Sequence, residues 1–308
     1  TPLSPTPTPA SRSLEVLQLP FQQMLSSCLL ALAIPKAIVL DADGTLLNAA
    51  HRLTPKVERA IRSAQEEGIL VMPATGRARS GPWVDEVLDP LFHNSPRGVF
   101  LQGLIVCDGN ECILDARLAP RINEHVRRAC EHPTPALVTA YCNERLFFPA
   151  GFEDDERIQR YASYGEAQPE PLDGLELEQA YANCNKLLVL ASEPEIPALR
   201  SRLESALRFR PARVVKALDW TLEVLPRGGS KGYGVSQLLR SMHIDPKSVM
   251  AVGDGDNDIE MMRLVGCSVA MGNATPKLKR VAKHQVACNE QDGVAEAIER
   301  ALTGDFVF

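Results

Sequence analysis

Ile34-Pro-Lys-Ala-Ile-Val-Leu-Asp-Ala-Asp-Gly-Thr-Leu-Leu47 is the stretch whose reading decides the fold. Its apolar run, Ala37 to Leu40, ends abruptly in Asp41 and Asp43, with Gly44 and Thr45 directly after them. A short run rich in branched residues and free of polar positions reads as a strand buried on both faces. Carboxylates at the end of such a strand are costly to desolvate and need a cation, a hydrogen-bonding loop, or both. In open parallel sheets the C-terminal strand end is also where ligands bind. An Asx turn closing the strand would explain the same residues more plainly. The rest of the chain has to separate the two readings.

Working outward, Thr54-Pro55 has the form of a helix start, a hydroxyl cap with proline in the first turn. Val57, Ala60, Ile61 and Ala64 then lie on one helical face, and Gly68 is placed to end the helix. Ile69 to Met72 is a second apolar run, followed by Ala74-Thr-Gly-Arg77. Strand, helix, strand makes a βαβ unit, which puts Asp41, Asp43 and Thr75 at one edge of a parallel sheet. A third strand is expected at Gly98–Leu101, and a hairpin at 105–114 turning on Asp108-Gly109-Asn110.

From about residue 119 the texture changes. Helices near 121–131, 154–162 and 194–208 alternate with strand-like runs at 136–141, 145–149, 186–191, 213–217 and 220–225, with a Pro/Glu/Gly-rich loop at 165–174. That pattern predicts a small α+β unit with an antiparallel sheet. After a flexible re-entry at Pro226–Gly232 the βα alternation resumes. A buried-type strand from Ser248 to Val252 ends in Gly253-Asp-Gly-Asp-Asn-Asp258, another at Ser268–Met271 ends in Gly272-Asn-Ala274, and a last helix is expected near 293–302. The fold class read from this order is α/β: a doubly wound, Rossmann-like parallel sheet built from 34–118 and 226–308, with 119–225 inserted as a cap.

Two strands thus end in acidic loops, Asp41/Asp43 and Asp254/Asp256/Asp258. As sheet neighbours they would repel, and some of their pKa values would rise. A hard divalent cation with oxygen ligands, Mg²⁺ above all, would resolve the repulsion. Thr75, the Gly44 and Thr45 amides and Lys231 add hydrogen-bond donors and positive charge, and the set suits a phosphoryl group.

In these four motifs, Asp41-Ala-Asp-Gly-Thr45, Thr75-Gly-Arg77, Lys231-Gly232 and Gly253-Asp-Gly-Asp-Asn-Asp258, the chain resembles the haloacid dehalogenase superfamily. Ala270-Met-Gly-Asn-Ala274 and Asp292-Gly-Val294 are similar to its Cof-type (subfamily IIB) phosphatases, and the likeness runs from about 34 to 302. The resemblance implies roles. Asp41 would be the nucleophile that forms an aspartyl-phosphate, and Asp43 the acid and then the base. Mg²⁺ would be held by Asp41, the Asp43 carbonyl and Asp254, with Asp258 behind them. Gly44, Thr45, Thr75, Gly76, Lys231 and Asn257 would hold the phosphate. Plain alternatives stand beside these roles: Thr75 as a helix cap, Lys231 as a solvated lysine, Asp256 as a loop acid, Asn273 as a turn residue, and Arg77 and Arg79 in local salt bridges. One departure is Gln102-Gly103, where that branch usually has Asn-Gly, which weakens any leaving-group contact carried over there. In the cap, Tyr141, Asn143, Arg145, Asn185 and Lys186 are candidates for the leaving group, against core or surface roles.

The function expected is Mg²⁺-dependent hydrolysis of a small phosphorylated metabolite, sugar phosphates first. The alternatives are a phosphotransferase or mutase on the same fold, and a scaffold or assembly subunit that keeps a phosphatase fold. Composition agrees with a small-molecule partner. The chain has 308 residues, 45% of them hydrophobic, and a net charge of −6, which argues against a nucleic-acid surface. No run approaches the roughly 20 apolar residues that span a bilayer. The eight cysteines show no paired or zinc-like spacing, as in a soluble, reducing compartment. Residues 1–33 are expected to be an extension, with a Pro/Thr/Ser-rich, acid-free start that matches a targeting remnant and a short apolar helix over 13–33. That start points to a plastid as an alternative to the cytoplasm, and offers a docking segment for a protein partner.

Overall fold

Ala37–Leu40 forms β1, every residue of it buried. The computed structural model describes residues 34–92, 97–131 and 135–306; the expected N-terminal extension, 1–33, lies outside them. Thr54 caps α1 (Pro55–Glu66) by accepting from Val57 N–H, and Val57, Ala60, Ile61 and Ala64 are its buried stripe. Next come β2 (Leu70–Pro73), β3 (Gly98–Phe100), β4 (Ile105–Asp108) and β5 (Glu111–Asp115). The inserted part holds α2 (Arg121–Glu131), β6 (Leu137–Cys142), β7 (Arg145–Pro149), α3 (Glu156–Ala162), β8 (Pro169–Leu172), α4 (Gly174–Asn183), β9 (Lys186–Leu190), α5 (Ile196–Ala206), β10 (Ala212–Leu218) and β11 (Thr221–Pro226). The chain closes with α6 (Lys231–Ser241), β12 (Val249–Gly253), α7 (Ile259–Leu264), β13 (Cys267–Ala270), β14 (His284–Gln285) and α8 (Gly293–Leu302).

The main sheet is parallel, in the order β14-β13-β12-β1-β2. β1 lies between β12 and β2, with Leu40 opposite both Pro73 and Val252. The loops after β1, β2 and β12 therefore leave the sheet side by side, which is what brings residues 41, 75 and 254 together. Gly44 follows from that crowding. Its φ is +78°, and a Cβ there would lie 2.4 Å from an Asp254 carboxylate oxygen.

A second, six-stranded sheet, β10-β11-β9-β6-β7-β8, is built from the insert and is mostly antiparallel. One face packs under α2, α4 and α5 through Val138, Ala140, Leu187, Val189, Leu222 and Val224. The other face, on the opposite side chains of each strand, looks toward the main sheet. Several contacts tie the layers, two of them beside the second loop. Arg79 grips Glu144 at 3.0–3.1 Å, and Lys186 Nζ donates to the Gly76 carbonyl at 3.3 Å. No helix among the described residues is long and apolar enough to cross a membrane.

Three local expectations are corrected. The span 165–174 is not all loop. Pro169–Leu172 runs parallel to β7 as the outermost strand, where missing N–H groups are tolerated, and α4 follows at once. The strand expected at 98–101 is Gly98–Phe100; it pairs with β4, which pairs with β5, in a separate three-stranded sheet, and it meets the main sheet through a bridge from Ala74 to Val99. The re-entry before Lys231 is ordered, since the Ser230 hydroxyl caps α6 by accepting from Tyr233 N–H.

Leu101, Gln102 and Gly103 are three consecutive residues of positive φ. A Cβ on Gly103 would lie 2.0 Å from the Ser230 carbonyl oxygen, directly before Lys231. Gly103→Ala is expected to destabilise the fold by at least about 1–3 kcal/mol, the usual cost of a strained backbone residue, read as a lower urea midpoint at unchanged slope.

Candidate active site

Asp41, the first residue past β1, donates its own N–H to Val252 O, so the β12 loop lies against it. Its Oδ1 accepts from Ala42 N–H at 2.7 Å and from Lys231 Nζ at 2.5 Å. Lys231 also donates to Asp258 at 2.8 Å. The ammonium is 1% exposed, Asp41 5% and Asp258 not at all. The solvated-lysine alternative is thereby excluded. Asp258 accepts in addition from the N–H groups of Asp254 and Gly255, which folds the Gly253–Asp258 loop around its own side chain. Thr45 donates its hydroxyl to Asp254 at 2.8 Å.

Asp41, Asp254 and Asp258 each offer a carboxylate oxygen within 4.8 Å of the others. Burial, together with Asp258, pushes Asp41 well above the usual carboxylate range against the pull of Lys231. Burial likewise pushes Asp254 up to about 6, against the Thr45 hydrogen bond. Burial works to lower Lys231, but Asp258 and Asp41 hold it above the ordinary lysine value. One ammonium for three acids leaves the cluster short of positive charge, and hard oxygen donors at this spacing fit Mg²⁺.

Asp43 points elsewhere. Its carboxylate takes a bidentate pair from Arg77, at 2.9 and 2.6 Å, with His51 Nδ1 at 3.3 Å. Burial works the other way, yet the His51 and Arg77 hydrogen bonds hold Asp43 well below the usual carboxylate range. Arg77 is 2% exposed with its guanidinium over the Trp83 ring, so this is a fixed support and not a loose local salt bridge. Thr75 is fully buried and its hydroxyl accepts from Arg77 N–H at 3.1 Å in a tight turn; no helix starts there, so it is not a helix cap. Gln102 donates its N–H to Thr75 O and its side chain accepts from Asn257 at 3.1 Å, so it joins the second and fourth loops. Asn273 donates to the Gly44 carbonyl at 2.7 Å and braces the first loop. Asp256 is exposed and held by Thr275 and Lys277 at the rim.

A cavity of about 380 Å³ opens between the two sheets above these groups. Asp41, Asp43, Gly76, Lys231, Asp254 and Asn257 line its floor. Of the cap candidates, Tyr141 and Lys186 are buried beside it, with the Lys186 ammonium 4.6 Å from the Tyr141 ring centroid. Asn185 braces the insert by donating to Asp115 and Ala116 O, Asn143 accepts from Arg117, and Arg145 pairs with Glu170 at the surface. His51, Tyr161, Glu166 and Glu223 line the cavity without having been singled out from the sequence. Glu223 had a legible signal, a lone acid inside the apolar run Thr221–Pro226. Glu166 sits in a polar loop and had none.

The profile of haloacid dehalogenase-like hydrolases matches residues 38–298. The chain is 32% identical over 273 residues to the chloroplastic endoribonuclease YBEY of Arabidopsis thaliana, covering 85% of this chain but only 46% of that protein, so it spans about half that relative's length. It is 26% identical over 291 residues to phosphatase YwpJ of Bacillus subtilis, covering 87% and 100% of the two chains. The solved structure of TM0651 from Thermotoga maritima superposes with a TM-score of 0.73 at 26% identity, covering 87% and 97%. The subclass IIB sugar phosphatase BT4131 shares the fold, with a TM-score of 0.71 at 21% identity over 86% and 98% of the chains.

Because Asp254 is raised, the folded carboxyl holds its proton more tightly than the unfolded chain does. Its contribution to stability is full below the ordinary carboxylate range and is lost as pH rises through about 6. With chelator present, Asp254→Asn should therefore melt above the parent at pH 7.5, by roughly 2–4 °C per kcal/mol regained, and the gain should vanish near pH 5. Thermal scans at the two pH values check this.

Proposed function

We propose that this chain, which belongs to the haloacid dehalogenase-like hydrolases, is a Mg²⁺-dependent phosphatase acting on a small phosphorylated metabolite through an aspartyl-phosphate. The observation that carries the reading is the buried Lys231, shared between Asp41 and Asp258 at the floor of the cavity. An isolated structural ion pair would need one acid. Here a single cation binds two acids, with a third within 4.8 Å of both, beneath a space large enough for a small ester.

In this reading Asp41 Oδ1 is fixed by two donors, which leaves Oδ2 to attack phosphorus. The bond to the leaving oxygen breaks, and that oxygen takes a proton from Asp43. Water then attacks phosphorus, Asp43 takes a proton from that water, the bond from phosphorus to Asp41 breaks, and inorganic phosphate departs. Arg77 holds Asp43 as an anion, so proton donation requires the carboxyl to come off the guanidinium and toward the ester. Asp41, the Asp43 carbonyl and Asp254 would hold Mg²⁺, with Asp258 behind them. When bound, that ion supplies the positive charge that keeps the acids ionised and neutralises phosphoryl oxygens. Gly44, Thr45, Thr75, Gly76, Lys231 and Asn257 are the residues proposed around the phosphate. Among them Thr45 spends its hydroxyl proton on Asp254, so its share falls to other atoms or to a rearranged loop, whereas Thr75 only accepts, from Arg77 N–H, and keeps its own O–H to donate. The small cavity between the sheets and the negative net charge favour a small ester over a polymer.

Release of inorganic phosphate from a panel of small esters tests the proposal. Turnover should require Mg²⁺ and stop with chelator. Asp41→Asn should fall below detection, and Asp43→Asn should lose about 10²–10⁴-fold in kcat, the usual share of acid–base catalysis. Parent-rate hydrolysis by Asp41→Asn would sink the assignment. A strict requirement for a bisphosphate activator would point instead to phosphoryl transfer between sugars.

A further inference from the structure

Lys186 and Glu223 form a buried ion pair on neighbouring central strands of the inserted sheet, 1% and 4% exposed. Glu223 stands opposite Leu188, two residues from Lys186, so all three side chains share a face. It is the face that meets the cavity, where Val215, Leu188 and Glu223 form part of the wall. The Lys186 ammonium is fully engaged: it donates to Glu223 Oε1 and to Gly76 O, and it lies over the Tyr141 ring. Glu223 is not. Its Oε2 is buried, and no protein group among the described residues donates to it. An acceptor left without a donor in a buried place costs about 1–3 kcal/mol, so such atoms call for an explanation. Gly76 belongs to the Thr75-Gly-Arg77 loop, so the pair also stands close to the phosphate end of the cavity.

We propose that Glu223 is a specificity-determining residue: its Oε2 accepts a hydrogen bond from a hydroxyl of the leaving group. The preferred esters then carry an uncharged, polyhydroxylated leaving group, and a second anionic group near this wall is rejected. This rests on the phosphatase reading above. The surrounding wall agrees with it. Glu166, whose Oε2 accepts from Tyr161 at 2.8 Å and Tyr141 at 3.2 Å, adds a second carboxylate. The nearby cation on that wall, Lys216, is paired with Asp219 at 2.6 Å. Val215 and Leu188 match the C–H surface of a polyol. A carboxylate is needed at 223 because a glutamine would keep its carbonyl on Lys186 and turn its NH₂ to the ligand, replacing an acceptor by a donor.

The test is the ratio of kcat/KM for glucose monophosphate to that for phenyl phosphate, whose leaving group carries no further hydroxyl. The parent should favour the sugar ester, and Glu223→Gln should lower the ratio roughly tenfold, about what one hydrogen bond is worth. Glu223→Gln strands a buried ammonium, so the double variant Lys186→Met/Glu223→Met, which removes the pair and leaves no acceptor at 223, is measured beside it and should show the same drop. With the parent alone, a hexose bisphosphate should be turned over far more slowly than the monophosphate. An unchanged ratio in either folded variant, or equal turnover of bisphosphate and monophosphate, overturns the inference and leaves the phosphatase reading standing. No phosphate release by the parent from any ester overturns both.

Discussion

The ammonium of Lys231, shared between Asp41 and Asp258, is the interaction on which the rest of this site depends. Three carboxylates at the ends of adjacent parallel strands repel one another, and burial makes that worse. One buried cation makes the arrangement tolerable without removing its imbalance. The imbalance is what makes the place reactive, since it leaves a standing demand for further positive charge. The Ser230 cap, the Gly103 approach to the Ser230 carbonyl and the Gly44 approach to Asp254 all serve to hold that lysine and those acids at their distances.

The two carboxylates of the first loop are treated oppositely by their surroundings. Asp41 is held where charge is disfavoured and Asp43 where it is favoured, though a single alanine separates them. Arg77 makes the difference, and it reaches Asp43 from the neighbouring loop with its own position fixed by Trp83 and Thr75. Pairs of acids pushed apart in this way are where acid–base roles are to be sought.

Much of this was legible in the residues. Two apolar strands ending in acids place the cluster, and the βα rhythm before and after the insert places both strands in one sheet. What was not legible depended on register or on φ. Glu223 interrupts one apolar strand and Lys186 begins another, but only the pairing of Glu223 with Leu188 puts them on one face over the cavity. His51 and Gln102 reach their partners from left-handed backbone, which nothing in a His-Arg or Gln-Gly pair announces. The strand at Pro169–Leu172 was hidden because proline forbids a central strand and is silent about an outermost one. Arg77 was read as a local partner, yet its acid lies 34 residues earlier in the chain.

Asp41 and Lys231 are 190 residues apart, and the whole inserted sheet lies between them. A chain emerging from the ribosome therefore presents residues 137–226, a sheet complete in itself, while β1 still lacks β12 on one flank. During that interval β1 has one open edge, and Asp41 lacks its lysine. Closing so long a loop is entropically slow to be rewarded. The reactive cluster therefore cannot assemble until residues 231–258 have been made, after every strand of the lid.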